Sequence, residues 1–430
     1  MKKSLILLLL CCLLCGCGEK TAEPTPTPAP TIEGQNVEEG TTALTLRGSA
    51  TAQELREVLS RCPDIVSVRF EELSCQLEEM RELAADYPAV DFDLPLSLGK
   101  TAFRSTDREL DLSEEKLDFA ALSALLPLCP KLEKVELGGN VPTADEAKTL
   151  RELAGAVLFR YDTELFGQTL STAVSEIDLS GTELTDTVEL ERELVRFPRL
   201  ERLLLHDCGL DNDTLDALNR KYESIRVVWT VQVYNYAVPT DQDYFIQFNG
   251  EKKYPVSNNS CYNLRYCTDL VAVDLGHLFA KQEDIEFLRY TPHVRYLIAM
   301  DGLYTDISPF GELPELEYLE MFSSQATDLT PLLKCKKLEH LNISRCYRLD
   351  GSCIDVLCRM TQLRRLWFIG HYLSSDYGEK LAEALPDTVI QYYPYRNGFA
   401  PYSMDFDWRK DESYYAMRDA LHMYYMDNLK

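Results

Sequence analysis

Short apolar runs recur along the chain with a fixed internal spacing. The fragments IVSVRF (65–70), LEKVEL (132–137), LERLLL (200–205) and LVAVDL (270–275) align with apolar residues at their first, fourth and sixth positions. The alternating ending predicts a short strand with one buried face. Their last residues, Phe70, Leu137, Leu205 and Leu275, lie 67, 68 and 70 apart. Two further series subdivide each interval: Leu46, Leu112, Leu179 and Phe248 in LTL, LDL, IDL and IQF, and Phe92, Phe159 and Val227 in VDFD, VLFR and IRVV. After Leu275 the runs come singly, at Ala299, Met321, Ile343, Phe368 and Tyr392. Fifteen steps then cover the 346 residues from Leu46 to Tyr392, about 23 each. Between the strands, LEEMRELAADYP, ADEAKTLRELAG, NDTLDALNRKYES and GEKLAEALPDT carry apolar residues at three- and four-residue steps and predict helices. VDFDLPLSLG, LFRYDTELFG and VVWTVQVYNY keep alternating instead, and predict extensions of the strands they begin with.

A strand of the form LxxLxL at this period is the leucine-rich repeat. The expected fold class is α/β: a leucine-rich-repeat solenoid of about 16 turns over residues 44–395, with a curved parallel sheet on the concave face and helices and irregular turns on the convex face. Strands ~4.8 Å apart would give a sheet ~75 Å along its inner face, over one continuous core. The segment YTDISPFGELPELEYLEMFSSQATDLTPLLKCKKLEHLNIS is similar to the repeat of internalins, in which the Asp-Ile-Ser-Pro run makes a tight convex turn. The turns grouped in threes, with ELFG, IDLSGTEL and YCTDLVAVDLGH, and the ending WRKDESYYAMRDAL resemble leucine-rich-repeat surface lipoproteins of Gram-positive gut bacteria, over nearly the whole chain that follows the export signal. That resemblance implies surface recognition and no defined activity. It departs at the ninth repeat position, where the family favours Asn for a buried side-chain ladder. Asn140 keeps it, whereas Thr182, Cys208, Gly302, Ser324 and Cys346 stand elsewhere.

The N-terminus carries an address. Residues 1–16, MKKSLILLLLCCLLCG, place two lysines before an apolar run of roughly ten residues, too short for the ~20 that span a bilayer. Leu14-Cys15-Gly16-Cys17 resembles the lipobox of bacterial lipoproteins, which implies that Cys17 becomes the acylated N-terminus. The chain is therefore expected outside the cytoplasm, held to the membrane of a Gram-positive bacterium by acyl chains on Cys17. Residues 17–43, with TAEPTPTPAPT, read as a Pro/Thr-rich stalk in extended polyproline conformation. The formal charge of -26, from 44 basic and 70 acidic side chains, argues against nucleic acid as a partner, because phosphate binding needs clustered Lys and Arg. Removing Lys2 and Lys3 with the signal would deepen it to -28.

Fourteen cysteines invite a disulfide framework in an exported chain. The repeat argues against one. Cys62, Cys129, Cys267 and Cys335 sit three residues before the first apolar strand position, a slot that Phe197 and Leu313 fill in other turns. No two of these occupy adjacent turns, so at least two strand spacings, ~10 Å, separate them, beyond the ~7 Å Cα limit for a bridge. Free structural thiols are expected, with Cys261 and Cys267, and Cys353 and Cys358, as the local alternatives. The six histidines, 206, 277, 293, 340, 371 and 422, accompany no GxSxG, HExxH, phosphate-loop or paired-carboxylate motif, so neither catalysis, a metal nor a cofactor is expected. DNDTLD at 211–216 lacks the Gly and Glu of a calcium loop and reads as a helix N-terminus.

Strand residues between the buried positions face the concave side. In the N-terminal half they are mainly charged, including Arg69, Asp91, Asp93, Lys134, Glu136, Glu176, Asp178 and Arg202. In the last turns they are Tyr296, Ile298, Met300, Tyr318, Glu320, Phe322, His340, Asn342, Arg365, Trp367 and Ile369. Aromatic and apolar side chains at such positions mark a ligand-binding patch or a surface covered by the chain itself. Residues 392–430 hold eleven of the 43 aromatic residues. There Tyr414, Met417, Leu421 and Tyr424 share a helical face behind Asp411 as N-cap. The segment 396–430 is expected as a helical end cap that leaves part of the patch open to a protein or glycan, in a monomer. The alternative is a structural spacer of the cell envelope without a specific ligand.

Overall fold

The computed structural model describes residues 29–246, 251–252, 260–395 and 407–423. The export signal, Cys17, most of the stalk, Phe248 and Tyr424 lie outside the described residues. The chain divides into two compact units, one ending at Tyr161 and the other beginning at Asp162. Where the repeat predicts one continuous core, the buried apolar side chains form a cluster within 32–161 and another within 165–385.

The first unit opens with an antiparallel hairpin, Thr31–Ile32 with Gln35–Asn36. Residues 31–43 are thus folded, although their composition places them in the stalk: Ile32 and Val37 are buried in the first core. The carboxylate of Glu33 accepts the N–H groups of Arg47, Gly48 and Ser49 at 2.8 Å and of Ala50 at 3.2 Å. Burial would raise its pKa, but these four donors outweigh burial and hold it below the usual range. The first turn of a solenoid has no preceding neighbour, and this hairpin supplies one.

The first unit holds two parallel groups of three strands, Ala43–Leu46, Ser67–Phe70 and Asp91–Asp93, then Glu109–Asp111, Lys134–Gly138 and the first half, 158–161, of the strand Leu158–Leu165. Leu44, Val68 and Phe92 align across the first group. Helices return the chain between strands. Thr51 with Glu54 and Thr143 with Glu146 form capping boxes at two of them, and Leu55, Val58, Met80, Leu83 and Leu150 fill the core behind. In the second unit the strands Glu176–Asp178, Arg202–Leu204 and Arg226–Val228 form a third parallel group. Seven strands follow in one uninterrupted parallel sheet: Tyr244–Ile246, Ala272–Asp274, Tyr296–Ile298, Tyr318–Glu320, His340–Asn342, Arg365–His371 and Val389–Pro394. The short turns Ser308–Glu312 and Thr330–Lys334 are 3-10 helices with Pro at their start, as the Asp-Ile-Ser-Pro type run requires.

The alternating segments after each third strand are not simple extensions. Each is the first arm of a two-residue β-hairpin: Pro95–Leu98 with Thr101–Arg104, the end of Leu158–Leu165 with Gln168–Ser171, and Thr230–Val233 with Tyr236–Pro239. Their tight turns use positive φ at Gly99, at Phe166 and Gly167, and at Tyr234. One residue past each return arm stands a fully buried hydroxyl, at Ser105, Thr172 and Thr240. The Ser105 Oγ donates to the Phe92 carbonyl at 2.7 Å and accepts from the Leu94 N–H at 2.8 Å, and the Thr240 Oγ1 accepts from the Trp229 N–H at 3.1 Å. Within each unit the parallel ladder stops at the hairpin, so the single curved sheet expected from the repeat is divided.

Two small devices extend several turns beyond their strands. In the consecutive turns after Leu275, Ala299, Met321 and Ile343 the residue two past the last buried strand position is left-handed although it is not Gly, at His277, Asp301, Ser323 and Arg345. That geometry lets Asp301, Ser323 and Arg345 donate to Phe322, Ser344 and Ile369 of the next turn at 2.8, 2.9 and 2.8 Å, prolonging the ladder. The Asn position varies as the sequence shows. The Asn140 Nδ2 donates to the carbonyls of Glu115 and Leu137 at 2.9 Å, whereas the Cys346 thiol donates to Met321 at 3.2 Å. Where Gly302 stands, the Tyr304 phenol fills the space and donates to Ala299 at 2.6 Å. All ten described cysteines are free thiols, and every one except Cys358 is buried. Burial pushes Cys129, Cys335 and Cys353 up to about 12 and Cys346 to about 11.

Candidate binding face on the seven-strand sheet

The parallel register brings the predicted residues together in rows. Tyr296, Tyr318, His340 and Arg365 are neighbours across four strands, and Ile298, Glu320, Asn342 and Trp367 are neighbours one pleat further on. Met300 and Phe322, just past their strands, and Ile369, within the longer strand Arg365–His371, continue the face. The face is less open than the sequence suggests. Ile298, Tyr318, Glu320, Asn342 and Trp367 are buried, Tyr318 to 1% and Asn342 to 0% exposure, while Tyr296, Met300, Phe322, His340, Arg365 and Ile369 are half-buried.

The C-terminal segment accounts for much of this burial. The helix Glu412–Ala420 lies on the sheet face, where the sequence predicts an end cap that leaves part of the patch uncovered. Met417 and Leu421, one helical turn apart, pack with Ala272, Ile298 and Tyr318, and Tyr244, Tyr296, Met300 and Tyr414 border the contact. The Tyr244 and His422 rings lie 4.4 Å apart. Asp411 caps the helix, accepting from the Ser413 N–H at 3.0 Å, and its other oxygen meets the Arg365 Nε at 2.7 Å. Burial acts to raise the Asp411 pKa, but the Ser413 hydrogen bonds and the charges of Arg365 and His340 hold it below the usual range. Apolar strand positions that a solvated face would leave wet are thus met by an apolar helix face with a matching charge at its end.

Ionisable groups lie beneath and beside the helix. Burial pushes the Asp274 carboxyl up to about 6, although it accepts the Gly276 N–H at 2.7 Å. The Tyr318 phenol donates to the Glu320 Oε2 at 3.1 Å and lies well above its ordinary pKa, through burial first and that carboxylate second. Burial lowers the His340 pKa, against the raising effect of Asp411 and Glu339. The Nδ2 of Asn342 and the Nδ1 of His340 are buried without a hydrogen-bond partner among the described residues, the latter 4.0 Å from Asp411. This arrangement can bind: an apolar trough, one guanidinium and unused polar hydrogen-bonding groups share a single face.

Sequence reasoning missed Ala272, Asp274 and Tyr244, which belong to the same face. It also missed why acids recur at the last outward strand position. Asp111, Asp178 and Asp274 each accept the N–H two residues on, at 3.0, 2.9 and 2.7 Å, and Asn342 does the same at 3.1 Å. The D/N-x-S/G spacing was the available signal. The charged N-terminal strands pair across neighbours, as Arg69 with Asp93 at 3.1 Å and Arg202 with Glu176 at 3.1 Å. DNDTLD is a capped helix start, with Asp211 accepting the Thr214 N–H at 2.9 Å. His371 is a core group between Phe368 and Tyr392, lowered by burial to about 4. Among the described residues there is no cluster of three or more metal-ligating side chains, and no helix is long and apolar enough to cross a membrane.

One short parallel strand per turn, in register over a buried apolar stack, defines a leucine-rich-repeat fold. No family model matches the chain. Among solved structures it is similar to an internalin from Listeria monocytogenes, at 17% identity over 63% of this chain and 77% of that one, with a TM-score of 0.27. A leucine-rich-repeat protein of Leptospira interrogans shares 13% identity over 82% of this chain and 90% of its own, with a TM-score of 0.28. A mitochondrial fission factor homolog from Xenopus laevis is 28% identical over 116 residues, 27% of this chain; the chain spans 52% of that protein's length. At these levels the assignment of the fold rests on the strand register itself.

Proposed function

We propose that this is a lipid-anchored recognition protein of the bacterial cell surface, non-enzymatic, which binds a protein ligand through the concave face of its C-terminal repeats. Cys17 in the Leu14–Cys17 lipobox is the anchoring residue, and the Pro/Thr-rich segment after it spaces the repeats from the membrane. One observation carries the binding reading: the part of the face around Ala272, Ile298 and Tyr318, with Arg365 at its edge, is shaped to take an amphipathic helix, because it already holds one. That occupant favours protein over glycan as the ligand class. A screen of surface proteins and glycans against the chain from residue 18 tests this. Phe322, Arg365 and Ile369 keep solvent exposure, so Arg365→Glu and the pair Phe322→Ala and Ile369→Ala should weaken binding without unfolding the repeats. Tyr318 and Trp367 are buried, so replacing them changes stability together with any contact to a ligand.

A spacer without a ligand remains the second reading, favoured by one fact: burial of Ile298, Tyr318 and Trp367 already accounts for their apolar character. Equal capture of every tested ligand by the parent chain, by Arg365→Glu and by the Phe322→Ala and Ile369→Ala pair would support the spacer and overturn the binding face.

A further inference from the structure

The contact between the C-terminal helix and the sheet is built unlike the rest of the molecule. Its apolar cluster is a satellite, separate from the main core of the repeats, and the strands beneath it keep their own stack of buried residues on the opposite side. Met417 and Leu421 are its two fully buried anchors, and Asp411 to Arg365 is its ion pair. The helix has nine residues, below the ~12 at which isolated helices become even marginal in water, so it is helical because the face supports it. The fit around it is imperfect: His340 Nδ1 beside Asp411 and, on the same sheet face, Asn342 Nδ2 are buried without a hydrogen-bond partner among the described residues, and Asp274 is buried at a cost its raised pKa records. A permanent core element would be expected to satisfy these groups. A segment that shares its seat with another ligand need not.

We propose that the helix Glu412–Ala420 is a tethered occupant of the concave face, an intramolecular competitor that an external ligand displaces. The inference rests on the reading of that face as a binding surface and specifies the partner: a protein presenting an amphipathic helix, with an acidic group at its N-terminal end for Arg365 and two large apolar side chains one turn apart for the trough formed by Ile298 and Tyr318. Carboxylate or backbone carbonyl oxygens on the partner would take the hydrogen bond that Asn342 leaves unused. The tether keeps the competitor at high effective concentration, so only a ligand with a better fit exchanges with it.

The test uses the full chain and a fluorescein-labelled synthetic peptide of its residues 407–423. Met417→Asp with Leu421→Asp lifts the tethered helix from its seat, and the labelled peptide should then bind at least tenfold tighter than to the parent chain. Adding Arg365→Glu should remove at least tenfold of that gain, and a peptide carrying Asp411→Arg should recover part of it. Circular dichroism and a thermal melt establish that the repeats are folded. A folded double variant that binds the peptide no better than the parent overturns the proposal. If the double variant unfolds, Asp411→Ala, which removes the ion pair and the cap but no buried apolar group, replaces it; a gain of about threefold supports displacement and no gain overturns it. An external protein that binds parent and opened chains equally overturns self-occupancy while leaving the binding face intact. Peptide exchange with no external binder in the screen supports self-occupancy and sinks the recognition reading alone.

Discussion

Replacing Asp274 with Asn should stabilise the second unit at neutral pH, and the amount follows from the structure. Asp274 is buried, and its carboxyl stands at about 6 against 3.8 for a free aspartate. A group whose folded pKa is raised disfavours folding above that pKa and ceases to do so as the pH falls below the unfolded value. At about 1.36 kcal/mol per pKa unit, ionised Asp274 costs about 3 kcal/mol at pH 7. Asn342 occupies the equivalent strand position and accepts the same i+2 N–H, so the amide oxygen can keep the Gly276 hydrogen bond. Its Nδ2, like that of Asn342, would lack a partner, at about 1 to 2 kcal/mol. The expected net gain at pH 7 is therefore about 1 kcal/mol. The sharper readout is its pH dependence: the advantage of the variant should shrink by about 2 kcal/mol between about pH 7 and pH 4.5, as the parent takes up its proton. Urea denaturation followed by tryptophan fluorescence measures this selectively, because Trp229, Trp367 and Trp408 all lie after residue 161. A variant less stable than the parent by more than about 1 kcal/mol at pH 7, or a difference that does not move with pH, would refute the reasoning.

Four other outcomes are open to measurement. Ser323 is left-handed at φ +62° and donates to Ser344 through its backbone, so Ser323→Gly should raise stability by about 0.5 to 1 kcal/mol in the same fluorescence assay. Gly138→Ala should cost at least about 2 kcal/mol, because its φ is +55° and a Cβ there would stand 2.7 and 2.9 Å from the Cβ and Cα of Ser113; a thermal melt by circular dichroism reads the loss. Ser105→Ala strips the Phe92 carbonyl and Leu94 N–H of their shared hydroxyl and should cost about 1 to 3 kcal/mol by denaturant titration. Under native conditions a maleimide should label Cys358 ahead of the nine buried thiols in the chain from residue 18, with the others reacting only on unfolding; several fast-reacting sites would contradict their burial.

The repeat was legible because its signal is a spacing that strand stacking imposes on every turn. Ile65, Val68 and Phe70 recur as Leu132, Val135 and Leu137 because each set must lie on its neighbour's. The helices were legible through three- and four-residue steps, and Asp411 as a cap through its position before an apolar face. The hairpins were only half visible. LPLSL announces its own arm by alternation, but TAFR, QTLS and YAVP do not alternate cleanly, and their pairing is fixed by turns such as Phe166-Gly167 that carry little sequence signal. The binding face was legible as a set of residues and illegible as a surface. Tyr318 between Glu317 and Leu319 reads the same whether a ligand or the chain's own helix covers it, since both demand an apolar side chain at an outward position.

Sheet width explains why such a helix sits on the C-terminal repeats. Every earlier parallel group ends after three strands, where a hairpin interrupts the ladder, which leaves a face of about 10 Å across the strands. Buried hydroxyls follow the hairpins at Ser105, Thr172 and Thr240, at the same 67- and 68-residue spacing as the strands, and those of Ser105 and Thr240 bond back to the preceding strand's end, so the interruption is part of the repeating unit. From Tyr244 onward the described strands form one ladder, and seven of them give about 29 Å of continuous face. A nine-residue helix is about 13.5 Å long. It overhangs a three-strand face and fits within a seven-strand one. The change from grouped to single turns at Leu275, visible in the spacing of apolar residues, is therefore what creates a surface wide enough to bind a helix, and the change from charged to aromatic outward residues at the same point is what makes that surface adhesive.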